Sequence, residues 1–282
     1  MKVRQFFENP ETRSFLLTLL LIFFVRGHLV EPFKIPSGSM IPTILIGDHL
    51  FVSKSSYRIH IPFTNREVLR VSEPHRSDVV VFEYPNIERD PEKDGYYFIK
   101  RLIGLPGDRI KVVGGVPYIN GEIAKQDLIP EGSFPAERSP SFVPNSYVNH
   151  YLETLPGTTG AHLIQRSRGV LETLPATTEQ FRLIEGTDCT PIATRYQEHP
   201  VDPQGMALNN ICEFEVPADK FFVMGDNRDD SSDGREWGFV ARELMVGKAL
   251  FIWLSCKPED EGGGLCLLPW NWRWDRLGLP MK

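Results

Sequence analysis

Asp78-Val79-Val80-Val81-Phe82-Glu83-Tyr84 sets the class of fold expected for this chain. Three successive valines and a phenylalanine favour an extended backbone. The run is continuous rather than alternating, which predicts a strand buried on both faces, inside a sheet. On its C-terminal side, Tyr96 to Ile103 reads as a second apolar strand and Pro106-Gly107-Asp108 as a turn. Arg109 to Val113 and Val116 to Ile119 then form a hairpin around Gly114-Gly115, and Asn120-Gly121 opens another turn. On its N-terminal side, residues 44–57 read as strand: Ile44-Leu45-Ile46, a Gly47-Asp48 turn, then His49 to Val52. Residues 58–75 are polar and contain proline, so a loop is expected; 85–95 are a charged loop. Strands return at Glu213 to Val216, Lys220 to Met224, Trp237 to Val240 and Val246 to Leu254.

The expected architecture is mostly β, an antiparallel sheet domain with an inserted second lobe and one N-terminal transmembrane helix. The 23 prolines, 23 glycines and 18 phenylalanines agree with many turns and short strands. A net charge of −6 argues against a nucleic-acid partner. Residues 122–210 differ from the rest, being polar and proline-rich with weak periodicity. Within them Leu152-Glu153-Thr154-Leu155-Pro156 returns as Leu171-Glu172-Thr173-Leu174-Pro175, a single duplication and not a solenoid. We divide the chain into a cytoplasmic N-terminus (1–13), an anchor (14–30), core (31–121), inserted variable lobe (122–210), core again (211–256) and a peripheral tail (257–282).

The anchor reading rests on Ser14 to Val25, which carries no charge. As a helix those twelve residues span only ~18 Å of a ~30 Å hydrocarbon core. Extension to Phe33 suffices if Arg26 snorkels to the interface. A cleaved signal peptide would need small residues at its cut site, and Arg26-Gly27-His28-Leu29 follows instead. A buried core helix would be unusually apolar all round. Lys2, Arg4 and Arg13 precede the run, weakly favouring a cytoplasmic N-terminus and an outer location for everything after residue 30. Four cysteines then lie on that outer side. Cys189 with Cys212 and Cys256 with Cys266 is the expected local pairing, with a free buried Cys256 as the alternative. Their spacing does not suit zinc, and no metal or cofactor is expected.

Three stretches carry chemistry. Ile35-Pro36-Ser37-Gly38-Ser39-Met40-Ile41-Pro42-Thr43 places two serines on a backbone stiffened by two prolines, which suits a nucleophile held in position as well as it suits a plain corner. Lys100 ends the apolar strand segment Tyr97-Phe98-Ile99. An amine in apolar surroundings loses its preference for the charged form; a fall from ~10.4 to near 7 corresponds to about 4–5 kcal/mol. Such a neutral amine can take a proton from a serine. Gly225-Asp226-Asn227-Arg228-Asp229-Asp230-Ser231-Ser232-Asp233-Gly234-Arg235 is a polar loop after a strand. Its Asp229-x-Ser231-x-Asp233-Gly234 spacing imitates half a calcium loop, but Val240 stands where the bidentate glutamate belongs.

Together these stretches resemble the bacterial type I signal peptidases, membrane-anchored leader peptidases with a serine/lysine dyad (peptidase family S26). Pro36-Ser37-Gly38-Ser39-Met40-x-Pro42-Thr43-Ile44-x-x-Gly47-Asp48 resembles the nucleophile box. Arg76 to Phe82 resembles the next, with Ser77 where glycine is more usual, and Lys100 to Asp108 the lysine box. Gly225 to Arg235 resembles the last, with Gly234 where serine is often found. All four occur in the family's order, and none of the seven histidines falls in one.

The resemblance implies roles by position. Ser39 is the nucleophile and Lys100 the general base; Ser37 Oγ and the Ser39 N–H form the oxyanion hole. Ser231 hydrogen-bonds and orients the Lys100 amine, while Asp226, Arg228, Asp233 and Arg235 brace that loop. Phe33, Ile35, Pro36, Met40, Ile44, Leu50, Val81, Phe98 and Ile99 line the substrate site, whose two shallow pockets take Ala at the −1 and −3 positions of a signal peptide. The implied protein is a single-pass monomer of the bacterial inner membrane with its catalytic domain on the periplasmic side. Its partners are preproteins delivered by the export machinery, and membrane lipid. Two rivals share these features: a Ser/Lys conjugation-pilus maturation peptidase, and a non-catalytic periplasmic domain that binds signal peptides.

Overall fold

The computed structural model describes residues 10–18, 30–60, 67–85, 94–113, 115–130, 148–167, 213–257, 266 and 268–281. Its strands, in chain order, begin with β1 (Val30–Lys34), β2 (Asp48–Ser53), β3 (Arg58–His60), β4 (Glu67–Arg70), β5 (Val79–Glu83) and β6 (Tyr97–Gly104). Then come β7 (Arg109–Val113), β8 (Val116–Ile119), β9 (Glu122–Ile123), β10 (Lys125–Leu128), β11 (Val148–Thr154) and β12 (Ala161–Ser167). The last four are β13 (Glu213–Glu215), β14 (Lys220–Met224), β15 (Val240–Ala241) and β16 (Met245–Ser255). The fold is mostly β, as expected.

Seven strands form the main sheet, in the order β1-β2-β16-β5-β6-β14-β15, with every pair antiparallel. The valine run of β5 lies in its middle, and Val79 to Phe82 are all buried. Strand β16 breaks register against both neighbours, twice with β2 and once with β5. Such bulges bend a strand and raise the local twist. The consequence is a curled sheet. Phe33 of β1 and Tyr97 of β6 touch edge to face at 5.6 Å, although four strand spacings would hold them ~19 Å apart in a flat sheet. One apolar cluster fills the curl, joining Ile35, Met40, Ile44 and Leu50 to Val79, Val81, Ile99 and Ile252. A second, with Phe82, Leu102, Phe221 and Trp237, lies apart from it.

Several expectations need correction. Ile44-Leu45-Ile46 is a turn, not strand. Ile44 N–H donates to the Met40 carbonyl at 2.9 Å, and Leu45 N–H to the Asp48 carboxylate at 2.8 Å. Residues 58–75 are not all loop, since β3 and β4 pair as a small hairpin. Trp237 ends a one-turn helix, Gly234–Trp237, capped by the Asp233 side chain, and only Val240 and Ala241 of that segment are strand. The inserted stretch contains a three-stranded sheet, β10-β11-β12. The tail is not peripheral over 268–281: Arg276 is buried, and its guanidinium reaches the Asp48 carboxylate at 2.5 Å and the Thr43 carbonyl at 3.0 Å. Asp48 is wholly buried and also accepts from Ser255 Oγ, so the tail grips the back of the turn that follows Ser39.

Cys256 and Cys266 form a disulfide; Cys189 and Cys212 lie outside the described residues. So does most of the expected anchor, residues 19–29. Residues 10–18 are helical and Val30 already belongs to β1. No helix among the described residues is long and apolar enough to cross a membrane.

Candidate active site

Ser39 sits in the turn between β1 and β2. That turn is pinned from below by Met40, Ile41, Ile44 and Leu45, all buried. Thr43 pins it from the side, its hydroxyl lying 2.5 Å from the Asp226 carboxylate and 3.2 Å from the Leu163 carbonyl. Ser39 itself is half-buried and Ser37 is exposed.

Lys100 lies within β6, opposite Val80 of β5. The Lys100 Nζ donates to Ser39 Oγ at 2.7 Å and to the Ile99 carbonyl at 3.1 Å, and lies 5.4 Å from the centre of the Phe98 ring. Only 4% of the residue is exposed. Burial pushes its pKa down to about 8, against the smaller opposing pull of the Asp233 and Asp226 carboxylates. Near neutrality a fraction of the amine is therefore uncharged, able to accept the proton of the hydroxyl it touches.

Gly225 to Arg235 leaves β14, the neighbour of β6 in the sheet, and so returns beside Lys100. Gly225 allows a close approach there: a Cβ on it would stand 2.2 Å from Ser231 Oγ and 2.5 Å from the Ser39 carbonyl. Both serines thus lie against one glycine. The expected hydrogen bond between Ser231 and Lys100 is not present, because Ser231 Oγ is buried without a partner among the described residues. The four residues expected to brace the loop, Asp226, Arg228, Asp233 and Arg235, all find partners. Asp226 takes two bonds from Arg101, at 2.8 and 2.7 Å. Asp233 accepts from Gly225 N–H at 2.8 Å and from Arg235 at 2.7 Å. Arg228 makes a forked pair with Glu153, one arm of it at 2.7 Å. These neighbouring cations hold the carboxyls of Asp226, Asp233 and Glu153 below the usual carboxylate range despite full burial.

Of the apolar residues expected to line the site, Ile35, Met40, Ile44, Leu50, Val81 and Ile99 come together in one cluster, with Phe33 packed on it. Ile44 and Leu50 have no exposed surface. Phe98 belongs to the other cluster, since consecutive residues of a strand face opposite ways. Pro36 is exposed at the rim.

Sequence reasoning missed Glu153, His162 and Gln165. Glu153 and His162 face each other across β11 and β12, and His162 Nε2 lies 3.1 Å from the Glu153 carboxylate. Gln165 exchanges backbone bonds with the 226–228 segment. Nothing in a polar stretch without clear period marks a buried ion pair, because charged residues are normally surface residues. Two departures in the boxes acquire a physical meaning. Ser77 has φ +75°, a left-handed conformation that glycine adopts without strain. Gly234 stands where any Cβ would meet the Val223 carbonyl at 2.7 Å.

The model of the signal peptidase family, peptidase S26, matches residues 11–254. Signal peptidase I of Buchnera aphidicola (subspecies Schizaphis graminum) is 34% identical over 254 residues, covering 86% of this chain and 74% of that one. Signal peptidase I of Pseudomonas fluorescens is 33% identical over 279 residues, covering 95% of this chain and 77% of that one. A solved chain, a signal peptidase I from Enterococcus faecalis, is 25% identical and covers 63% of this chain and 97% of that one, at a TM-score of 0.28.

Proposed function

The chain belongs to the signal peptidase family, peptidase S26, and removes signal peptides from preproteins; we propose that it does so with Ser39 as nucleophile and Lys100 as general base. The observation that carries this reading is the 2.7 Å contact between Lys100 Nζ and Ser39 Oγ, on an amine only 4% exposed. In the first step Lys100 takes the Ser39 proton as Oγ attacks the scissile carbonyl. The oxyanion is held by the Ser39 N–H and the Ser37 hydroxyl, which its exposed position leaves able to turn toward it. The tetrahedral intermediate collapses to an acyl-enzyme. Lys100 returns its proton to the departing amine of the mature protein. Water, deprotonated by Lys100, then attacks the ester, freeing the signal peptide and regenerating Ser39. Ser231 is assigned to orienting Lys100, and its unsatisfied buried hydroxyl against Gly225 supports that role.

The substrate binds extended beside β1, whose outer edge is unpaired among the described strands. Its small side chains at the −1 and −3 positions rest against the surface of the cluster around Phe33, Ile35 and Ile99. Residues 31–121 and 211–256 supply every reacting group from one chain, which suffices for a monomer. The apolar run within 14–30 anchors this core to the bacterial inner membrane, raising the local concentration of a membrane-bound substrate. Exposed Trp253, Trp270 and Trp274 suit contact with the lipid interface.

The decisive experiment is cleavage of a purified preprotein by detergent-solubilised wild type, Ser39→Ala and Lys100→Ala. Cleavage after an Ala-x-Ala site by wild type alone, with both variants folded, is expected. Cleavage retained by a folded Ser39→Ala or Lys100→Ala would remove that residue from its role.

A further inference from the structure

Two peptide units meet at the Ser39 Cα, and one residue holds both. Asn227 donates its backbone N–H to the Ser39 carbonyl at 3.1 Å. Its side-chain Nδ2 donates to the Gly38 carbonyl at 3.2 Å, and the Ile41 N–H donates to the same oxygen at 3.1 Å from within the turn. A carbonyl can only accept, so the amide nitrogen, not the oxygen, faces Gly38. The Gly38 carbonyl shares a planar peptide with the Ser39 N–H, and in a trans unit the two point in opposite directions. Holding that oxygen therefore aims the Ser39 N–H. Holding the Ser39 carbonyl fixes the second plane, and with it both backbone dihedrals of Ser39. Asn227 is buried, so water competes little for either bond.

The inserted lobe in turn sets Asn227. Residues 226–228 run parallel to β12: Gln165 N–H donates to the Asp226 carbonyl at 2.9 Å, and Arg228 N–H to the Gln165 carbonyl at 3.0 Å. Asn227 is thus bracketed between two backbone bonds. Gln165 Nε2 also lies 3.5 Å from Asn227 Oδ1, on the side of the amide away from Gly38. Glu153 of β11 anchors Arg228, whose Nε donates to the Gly225 carbonyl at 3.2 Å. The lobe that looked like a variable insertion therefore reaches the two peptide units of the nucleophile through Asn227, besides gripping the turn at Thr43.

We propose that Asn227 is the positioning residue that aims the Ser39 N–H at the oxyanion, and that Gln165 of the inserted lobe holds Asn227 in place. This rests on the assignment of Ser39 as nucleophile and oxyanion donor. Asn227 touches no reacting atom.

Asn227→Ala removes the side-chain donor, and Asn227→Asp turns a carboxylate oxygen toward the Gly38 carbonyl. Each is assayed as the full chain in detergent for kcat and KM on a preprotein, and for the affinity of a peptide aldehyde that forms a tetrahedral adduct with Ser39. The expected result is a kcat lower by roughly tenfold to a hundredfold, less than outright loss of an oxyanion donor. KM stays within about twofold, because ground-state binding does not use that N–H. Aldehyde affinity falls in step with kcat, and the pH at which activity half-rises is unchanged. Gln165→Ala moves the same quantities in the same direction by less. Unchanged kcat in a folded variant overturns the proposal. So does a kcat loss without a loss of aldehyde affinity, or one matched by a rise in KM and a fall in Tm. Should Asn227→Asp not fold, Asn227→Ala, which adds no charge, carries the same reading. Ser39→Ala is assayed alongside. If it cleaves, the underlying assignment has failed; if it is inactive while the Asn227 variants match wild type, only the positioning role has.

Discussion

Replacing Lys100 by methionine should make the protein more stable near neutral pH and leave it no more stable in strong base. The folded amine titrates near 8 rather than its ordinary 10.5 because burial disfavours the charged form. The sign follows from proton linkage. Between pH 8 and 10.5 the unfolded chain keeps a proton on Lys100 that the folded chain has lost, so wild-type stability rises with pH across that window. Below pH 8 both states are protonated and the folded state carries the full penalty, about 3 kcal/mol at pH 7. Methionine fills a similar shape without a charge. Two hydrogen bonds, to Ser39 Oγ and Ile99, disappear with the amine, offsetting about 1 kcal/mol each. The net gain at pH 7 is therefore about 1 kcal/mol. The more robust quantity is the difference in ΔΔG between pH 7 and pH 10.5, about 3 kcal/mol, because the lost hydrogen bonds largely cancel from it. Urea unfolding of wild type and Lys100→Met in the same detergent, at several pH values and followed by tryptophan fluorescence, measures it. Parallel stability curves would refute the reasoning, showing that Lys100 titrates as it does in water. The same ionisation should appear in the wild-type kcat/KM profile, with activity rising through pH 8.

Three further outcomes are expected. Gly225→Ala should lower kcat by about a hundredfold or more, since its Cβ would collide with Ser231 Oγ and the Ser39 carbonyl and misplacement of the order of 1 Å costs that much; single-turnover cleavage measures it. Ser77→Gly should raise stability by about 0.5–1 kcal/mol by relieving the left-handed conformation, read from the urea midpoint, with the Arg101 bond to the residue-77 carbonyl retained. Replacing both Cys256 and Cys266 by alanine should cost about 2–3 kcal/mol for a loop of this size, measured by the same unfolding and compared with wild type in reductant.

Much of this was legible in the residues. The valine run of β5, the apolar stretch ending at Lys100 and the turn signals between them dictate an antiparallel β core, because side-chain periodicity and Gly/Pro placement act locally. The Ser-Gly-Ser corner, the buried-looking lysine and the Asp/Ser loop could be singled out because each is written within a dozen residues. What no local pattern carries is how the sheet closes. Three register shifts in β16 curl it until Phe33 meets Tyr97, and only then does a serine beside β1 lie within a hydrogen bond of a lysine on β6. Nor could Glu153, Gln165 or Arg276 be distinguished from surface residues, since the compensating charge or carbonyl for each lies far along the chain. Composition and spacing determined most strands of the main sheet and the chemical candidates, but not β3, β4 or β10 to β12; burial, and the long-range partners that make burial of a charge tolerable, were decided by the tertiary structure alone.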